Sequence, residues 1–200
     1  PICNVPEMVT GNKPIDDGNY LFTTAERDAF IAREPASQKW FRRWLGGEEF
    51  INAIDRWCLW LGDCPPSELR AMPEAMKRVQ AVKAFRQSSK SAPTQKLAAT
   101  PTRFHTEFIP KGTYIALPQV SSERRDTIPM AILGTDVLCG DKLRLIEGAS
   151  LFHFGVLLST MHMAWTRQVC GRLESRFQYS ALIVYNNFPW PEDVTDANRA

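Results

Sequence analysis

The chain has 200 residues, 44% of them hydrophobic, 23% charged and 10% aromatic, and its 24 Lys and Arg against 22 Asp and Glu leave a formal charge of +2. That composition excludes a disordered chain, a collagen and a coiled coil. The longest apolar runs, such as 154–158 and 181–185, fall far short of the roughly 20 residues a membrane span requires. The chain begins at Pro1 without a Met and ends in a polar tail, so it reads as a piece of a longer protein.

In chain order, the first twenty residues carry Pro1, Pro6, Gly11, Pro14 and Gly18 and read as extended segments and loops. Thr23 with Glu26 three residues later matches a capping box and predicts a helix over 25–34. Trp40, Phe41, Trp44 and Leu45 at helical spacing predict a second helix over 36–45, after Pro35. The short aromatic and apolar runs 48–51 and 56–61 read as strands, and Cys64-Pro65-Pro66 closes this section. Met76, Val79, Val82 and Phe85, interleaved with Lys77, Arg78, Lys83 and Arg86, predict an amphipathic helix over 73–88 with a basic face. The stretch 88–101 is rich in Ser, Thr, Ala and Pro and reads as a mobile connection. Strands are predicted over 113–117 and 127–133, flanking a polar turn over 119–125, and again over 142–146. A long, mostly apolar run predicts one buried helix over 150–169, and strands over 174–180 and 182–185 follow it. Helices and strands mix without a βαβ repeat, which points to an α+β fold.

The near-neutral total hides a segregation of charge. Residues 70–125 hold eleven basic and three acidic side chains, a net of +8, which leaves −6 for the remainder. Such a basic stretch is the electrostatic footprint of a surface facing phosphates, and it equally fits a solvated helix face followed by a loop.

The motifs of catalysis are missing. No GxGxxG or GxxxxGK[ST] turn is encoded, and Gly46-Gly47 follows a predicted helix. Asn187-Phe188-Pro189-Trp190 superficially matches the Asn-Pro-Pro-aromatic loop of adenine methyltransferases, but Phe188 replaces the first proline, so a structural turn burying Phe188 and Trp190 accounts for it better. His153 and His162, nine residues apart on the predicted long helix, fall on different faces. Cys58 and Cys64 could clip a metal with one of them, yet no CxxC pair is present. The five cysteines, Cys3, Cys58, Cys64, Cys139 and Cys170, are odd in number and widely spaced, which suits reduced thiols in a cytoplasmic protein.

The segment after Gly171 differs. On a strand over 174–180, the period of two places Glu174, Arg176 and Gln178 on one face and Phe177 and Tyr179 on the other. A carboxylate, a guanidinium fork and an amide in one row are base-edge readers in the DNA major groove. An edge strand with a weak cross-face Glu-Arg pair fits the same pattern.

Several long motifs occur in order: Gly11-Asn12-Lys13-Pro14, Arg56-Trp57-Cys58-Leu59-Trp60-Leu61, Val120-Ser121-Ser122-Glu123-Arg124-Arg125-Asp126, Gly171-Arg172-Leu173 and Tyr185-Asn186-Asn187-Phe188-Pro189-Trp190-Pro191. Together they resemble the target recognition domain of MmeI-like DNA methyltransferases over nearly the whole chain. The resemblance implies a domain over 1–191, with 192–200 starting a linker. It implies a module that is catalytically silent alone and that recognises double-stranded DNA in a bacterial restriction-modification enzyme. The methyltransferase domain of the same parent chain would supply adenine-N6 methylation with S-adenosylmethionine, and some members carry a nuclease. The fragment itself would hold no cofactor or metal, and the enzyme would be cytoplasmic. In that family, specificity depends on positions two apart after the GRL motif, which here fall on Glu174 and Arg176, with Gln178 near. The implied reading is of one C·G pair, Glu174 on the cytosine amino group and Arg176 on the guanine. Many relatives carry Lys and Asp there, so a different base preference is implied. Ser121, Ser122, Arg124 and Arg125 are expected at backbone phosphates. Alternatively the serines cap a turn and Arg125 pairs with Glu123. A different class of reading is a scaffolding domain that packs on a catalytic neighbour through its six tryptophans.

Overall fold

The computed structural model describes residues 1–191; the expected linker start at 192–200 lies outside the described residues. The chain runs through β1 (Met8–Thr10), β2 (Leu21–Phe22), α1 (Thr24–Arg33), a 3-10 turn (Pro35–Trp40), β3 (Phe41–Leu45), α2 (Gly47–Asn52), β4 (Arg56–Leu59), α3 (Pro66–Arg70) and α4 (Pro73–Ser88). It continues through α5 (Ala92–Lys96), a 3-10 turn (Leu97–Ala99), β5 (Tyr114–Pro118), β6 (Val120–Ser121), β7 (Ala131–Leu133), β8 (Val137–Cys139) and β9 (Leu143–Glu147). It ends in α6 (Leu151–Leu158), α7 (Thr160–Val169), β10 (Gly171–Leu173), β11 (Arg176–Gln178) and a π-helical turn (Ala181–Tyr185). The result is an α+β fold with three small sheets, ordered β1-β9-β5-β7, β2-β4-β3-β8 and β10-β11-β6. Only β3 with β8 pairs in parallel among these strands.

Local chemistry explains the elements that the sequence marks clearly. Thr23 accepts from the Glu26 amide and Glu26 returns a carboxylate to the Thr23 amide, which closes the capping box and starts α1. Phe30 on its buried face meets Phe22 and Phe41 edge to face, with centroids 5.4 and 5.7 Å away. The buried Glu34 carboxylate accepts from the Glu74 and Ala75 amides at 2.8 and 3.0 Å. It thereby satisfies two orphan donors at the start of α4 and places a negative charge at the positive end of the helix.

Elsewhere tertiary pairing overrides local pattern. The predicted helix over 36–45 is a 3-10 turn followed by β3, because Phe41 and Trp44 sit in a central strand between β4 and β8. The predicted strand over 48–51 is α2, with Glu48 and Glu49 in its first turn and Ala53 closing it at φ 53°. Pro66, expected in a closing loop, takes the first position of α3, where its missing N–H costs nothing. Of 127–133 only β7 is strand, and the polar stretch 119–125 contributes β6. The predicted helix over 150–169 breaks at Ser159, whose hydroxyl donates to the Val156 carbonyl and accepts from the His162 amide. The predicted strand over 182–185 is the π-helical turn, whose carbonyls of Leu182 and Ile183 accept from Asn187 Nδ2.

Two buried polar groups tie the loops together. Asn12, fully buried, donates to the carbonyls of Phe108 and Cys139 and accepts from the Phe108 amide. A Cβ on neighbouring Gly11 would collide with the Gly140 carbonyl, so only glycine permits this approach. Arg86, counted in the basic face by its spacing, is instead wholly buried. Its guanidinium donates to five carbonyls, those of Pro14, Ile15, Leu97, Thr100 and Arg103, at 2.8–3.1 Å. The stretch 88–101, expected to be a mobile connection, folds back on α4 as α5 and a 3-10 turn, and two of those carbonyls belong to it.

Arg86→Lys keeps the charge but offers one nitrogen to five acceptors. Stranding several buried carbonyls is expected to cost roughly 3–5 kcal/mol. The measurement is urea denaturation, in which the midpoint falls while the m-value stays constant.

Candidate nucleic-acid interface

The smallest sheet brings together the residues singled out by two unrelated arguments. In the β10–β11 hairpin Gly171 faces Gln178, Arg172 faces Phe177 and Leu173 faces Arg176. The other edge of β11 pairs with β6, Phe177 opposite Ser121 and Gln178 opposite Val120. The sheet therefore carries Arg176 and Gln178 on β11, with Glu174 in the turn before it, and leads from β6 into Ser122, Arg124 and Arg125. Phe177 and Tyr179 are buried while Arg176 and Gln178 are exposed, as the period of two requires.

Glu174 is placed differently from the expected strand over 174–180. It opens the two-residue turn with Ser175, at φ 58°. An L side chain with a Cβ disfavours that left-handed region by about 1–2 kcal/mol, and such strain concentrates at functional sites. From the turn its Oε2 accepts from Arg176 Nη2 at 2.8 Å, with the two side chains 77% and 46% exposed. At that exposure the pair orders two side chains and adds little stability.

In the neighbouring turn the Ser122 hydroxyl accepts from the Arg124 amide at 3.2 Å, and the Ser122 carbonyl accepts from the Arg125 amide. Ser122 thus caps the turn, and Arg124 rather than Arg125 lies beside Glu123, at 3.9 Å. Arg124 is 90% exposed, and Arg125 makes no ion pair among the described residues. Ser121 is buried opposite Phe177, and its hydroxyl has no hydrogen-bond partner among the described residues.

Between this sheet and α2 runs an open groove, lined by Arg125, Lys142 and Arg176 together with Gln119, Ser122, Glu48 and Asn52. Gly47 of α2 lies so close to Lys142 that a Cβ there would stand 3.2 Å from the lysine Cβ. Lys142, Gln119, Glu48 and Asn52 carry no signal in the linear sequence. Gln119 and Lys142 reach Arg176 through the pairing of β11 with β6 and the turn between β8 and β9, and Glu48 and Asn52 come to the groove from α2.

A family model described as the MmeI target recognition domain matches residues 1–192. The chain belongs to this family. It is 37% identical over 192 residues to DNA methyltransferase A of Bacillus subtilis strain 168, covering 96% of this chain and 22% of that protein. It also superimposes with a TM-score of 0.95, at 46% identity, on a solved structure of the type IIL restriction-modification enzyme MmeI in complex with DNA. That match covers 100% of this chain and 27% of the other, so this target recognition domain spans about a quarter of the length of these relatives.

The remaining candidates have structural roles in the domain. Asn187 caps the π-helical turn, and Phe188 and Trp190 are buried against His162, Trp165 and Tyr185. His153 closes the cap of α6 through Ser150, whereas His162 is buried with its Nε2 2.8 Å from the Tyr179 hydroxyl. Cys58, Cys139 and Cys170 are buried free thiols; burial pushes Cys139 up to about 12, against a hydrogen bond with the Tyr114 hydroxyl. Among the described residues no three His, Cys, Asp or Glu side chains converge on a metal position, and no helix is long and apolar enough to cross a membrane.

The basic stretch divides between two surroundings. α4 packs into the core with Phe22, Phe30 and Trp60, whereas Arg124 and Arg125 flank the β10–β11–β6 sheet over the other core, with Phe177 and Tyr179. Arg86 is buried, Arg103 pairs with Asp63 and Glu107, and Lys77 pairs with Glu74, so the net of +8 is not one phosphate-facing field.

Burial holds the His162 imidazole down to about 4 from its ordinary 6.5. The unfolded chain therefore binds a proton that the folded chain refuses between those two values, and stability falls as the pH drops through that window. Thermal unfolding followed from pH 7 to pH 4 is expected to show this loss, and His162→Gln, which retains a hydrogen-bonding partner for Tyr179, to show a shallower one.

Proposed function

We propose that this domain reads double-stranded DNA through the β10–β11–β6 sheet, within a larger bacterial adenine-N6 DNA methyltransferase of a restriction-modification system. The observation that carries the reading is the meeting of base-reading and phosphate-binding residue types on one exposed three-stranded sheet, in a member of the MmeI target recognition family. A two-stranded ribbon fits the major groove, where each base pair presents a distinct donor and acceptor pattern. The Glu174–Arg176 pair uses one carboxylate oxygen and one guanidinium nitrogen on each other. The second carboxylate oxygen can accept from a cytosine N4 amine, and the remaining guanidinium donors suit guanine O6 and N7, which together describe one C·G pair. Gln178, next but one along the strand, reaches an adjacent pair. Arg124 and Arg125 bind backbone phosphates beside Ser122, and Lys142 adds a third cation from across the groove. Ser121, with its hydroxyl turned to the buried side, contributes at most by shaping that wall.

Chemistry belongs to the rest of the parent chain. β3 of the parallel pair runs into Gly46-Gly47 at the start of α2, not after a helix as the spacing predicts, but that turn lacks the GxGxxG spacing and α2 has six residues, so the dinucleotide-type fingerprint of a doubly wound fold is not encoded there. The methyltransferase domain of the same chain supplies S-adenosylmethionine and receives the DNA that this domain positions. A docking role toward that domain has an observation of its own. Met161, Leu182 and Ile183 are exposed on α7 and the π-helical turn, which Trp165 joins through a bond to the Val184 carbonyl.

In the intact enzyme, Arg176→Ala is expected to cost roughly 1–3 kcal/mol at the target site and relax discrimination at one base pair, read by sequencing the methylated sites of host DNA. Arg124→Ala is expected to weaken binding to all sequences alike and reduce the slope of log K against log salt by about one. An unchanged methylation site in Arg176→Ala rejects the readout role.

A further inference from the structure

We propose that Arg172 is a positioning residue that braces the recognition hairpin, rather than a phosphate contact. The proposal rests on the hairpin being the DNA-reading surface. An exposed arginine on a DNA-facing hairpin looks at first like one more cation for the backbone. Its register says otherwise: Arg172 faces Phe177, so its side chain leaves the sheet on the buried side, opposite to Arg176 and Gln178.

On that side it makes three contacts with three different elements. Its guanidinium carbon stacks 4.0 Å from the centroid of the Phe177 ring. Nη1 donates to the Ser175 carbonyl and Nη2 to the Arg167 carbonyl, both at 3.3 Å. Ser175 is the second residue of the turn that carries Glu174, and Arg167 lies in the last turn of α7, where carbonyls lack helical partners and a cation is favoured. One planar group thus links the tip of the hairpin, the middle of β11 and the end of the helix beneath.

The hairpin needs such a link. Its strands are three residues each, and an isolated hairpin of that size is marginal in water. Its turn is held at a φ that glutamate disfavours, so the Glu174 carboxylate stays beside Arg176 only while the turn is fixed from below. Lysine cannot replace the brace, because an ammonium neither stacks flat on a ring nor spreads two donors in one plane. It would, however, largely replace a phosphate contact.

The experiment uses the full-length parent enzyme with Arg172→Lys, Arg172→Ala and Arg176→Ala, each checked for folding by thermal unfolding. The methylated sites are sequenced, and binding to cognate and non-cognate duplexes is measured as a function of salt. Both Arg172 variants are expected to lose about tenfold in discrimination at the base pair that Arg176→Ala relaxes, with non-cognate affinity and the salt slope unchanged. If Arg172→Lys keeps full discrimination while Arg172→Ala lowers the salt slope by about one, Arg172 is a phosphate contact and the brace is rejected. If Arg176→Ala itself leaves the site unaltered, the hairpin does not read DNA and the brace falls with that reading. Loss of folding in Arg172→Lys would also reject a role confined to positioning.

Discussion

A guanidinium without a direct carboxylate partner holds α4 to the loops that run alongside it. Burying Arg86 removes a charge from water, and burial pulls its pKa down, with the nearby Asp16 carboxylate opposing. The compensation is a complete set of five carbonyl acceptors drawn from the loop before β2, the turn after α5 and the approach to Phe104. None of those loop carbonyls belongs to a sheet ladder, so the guanidinium does for them what a strand partner would do. The same N-terminal loop continues the connection through Asn12 to Phe108 and Cys139, and through the Lys13 amide to Thr106. Two irregular segments are therefore fixed by side chains, and β8, the strand that completes the second sheet, is placed by them.

With that frame fixed, the β10–β11–β6 sheet can be small. β6, β10 and β11 contribute eight residues in all, and their inner side is filled by Phe177 with Tyr179 just beyond it, which His162 anchors from α7. The outer side presents Arg176 and Gln178, which bury little. Exchanging exposed side chains usually changes stability by less than about 0.5 kcal/mol. Under the proposed function, residues at these outer positions can be exchanged while the scaffold below stays intact. The strained turn at Glu174 marks the exception, since its backbone conformation has to be maintained by the surroundings.

Much of this was legible from local chemistry. The capping box of α1 and the helix over 73–88 rest on signals within one or two turns, although the buried face of α4 is Ala75, Val79, Val82 and Arg86 and leaves Phe85 exposed, and the alternation after Gly171 correctly sent Phe177 inward and Arg176 outward. The failures share one physical cause. Phe41 and Trp44 fit a helix by spacing, but the strands that make β3 a central strand come from 56–59 and 137–139. The run Ile183-Val184-Tyr185 has strand composition, yet the Ser180 hydroxyl meeting the Ile183 amide and the Asn187 amide meeting two carbonyls close it into a turn. At the site, a glutamate gives no cue for a positive φ, and the groove residues Gln119, Lys142 and Asn52 are joined to Arg176 only by tertiary pairing. Arg86 was misplaced for the opposite reason: its position in the helix was right, but a basic residue at an inward position reads as charge until its carbonyl cage is seen.

The distribution of free charge bears on how the domain would hold DNA. Of the basic middle, Arg86 is buried and Lys77 and Arg103 pair with acids, and only Arg124 and Arg125 flank the β10–β11–β6 sheet, where Lys142 and Arg176 join them along the groove. Affinity for duplex DNA rises with the number of phosphates neutralised, and a surface with two or three such contacts binds weakly at physiological salt. Discrimination, by contrast, needs only a few well-held groups at base edges. Under the proposed function such a domain would be strong in selectivity and weak in grip, and its matched relatives are about four times its length. Under the proposed function, the remainder of the parent chain supplies the second jaw, and the domain's own contribution is to decide which DNA that clamp retains.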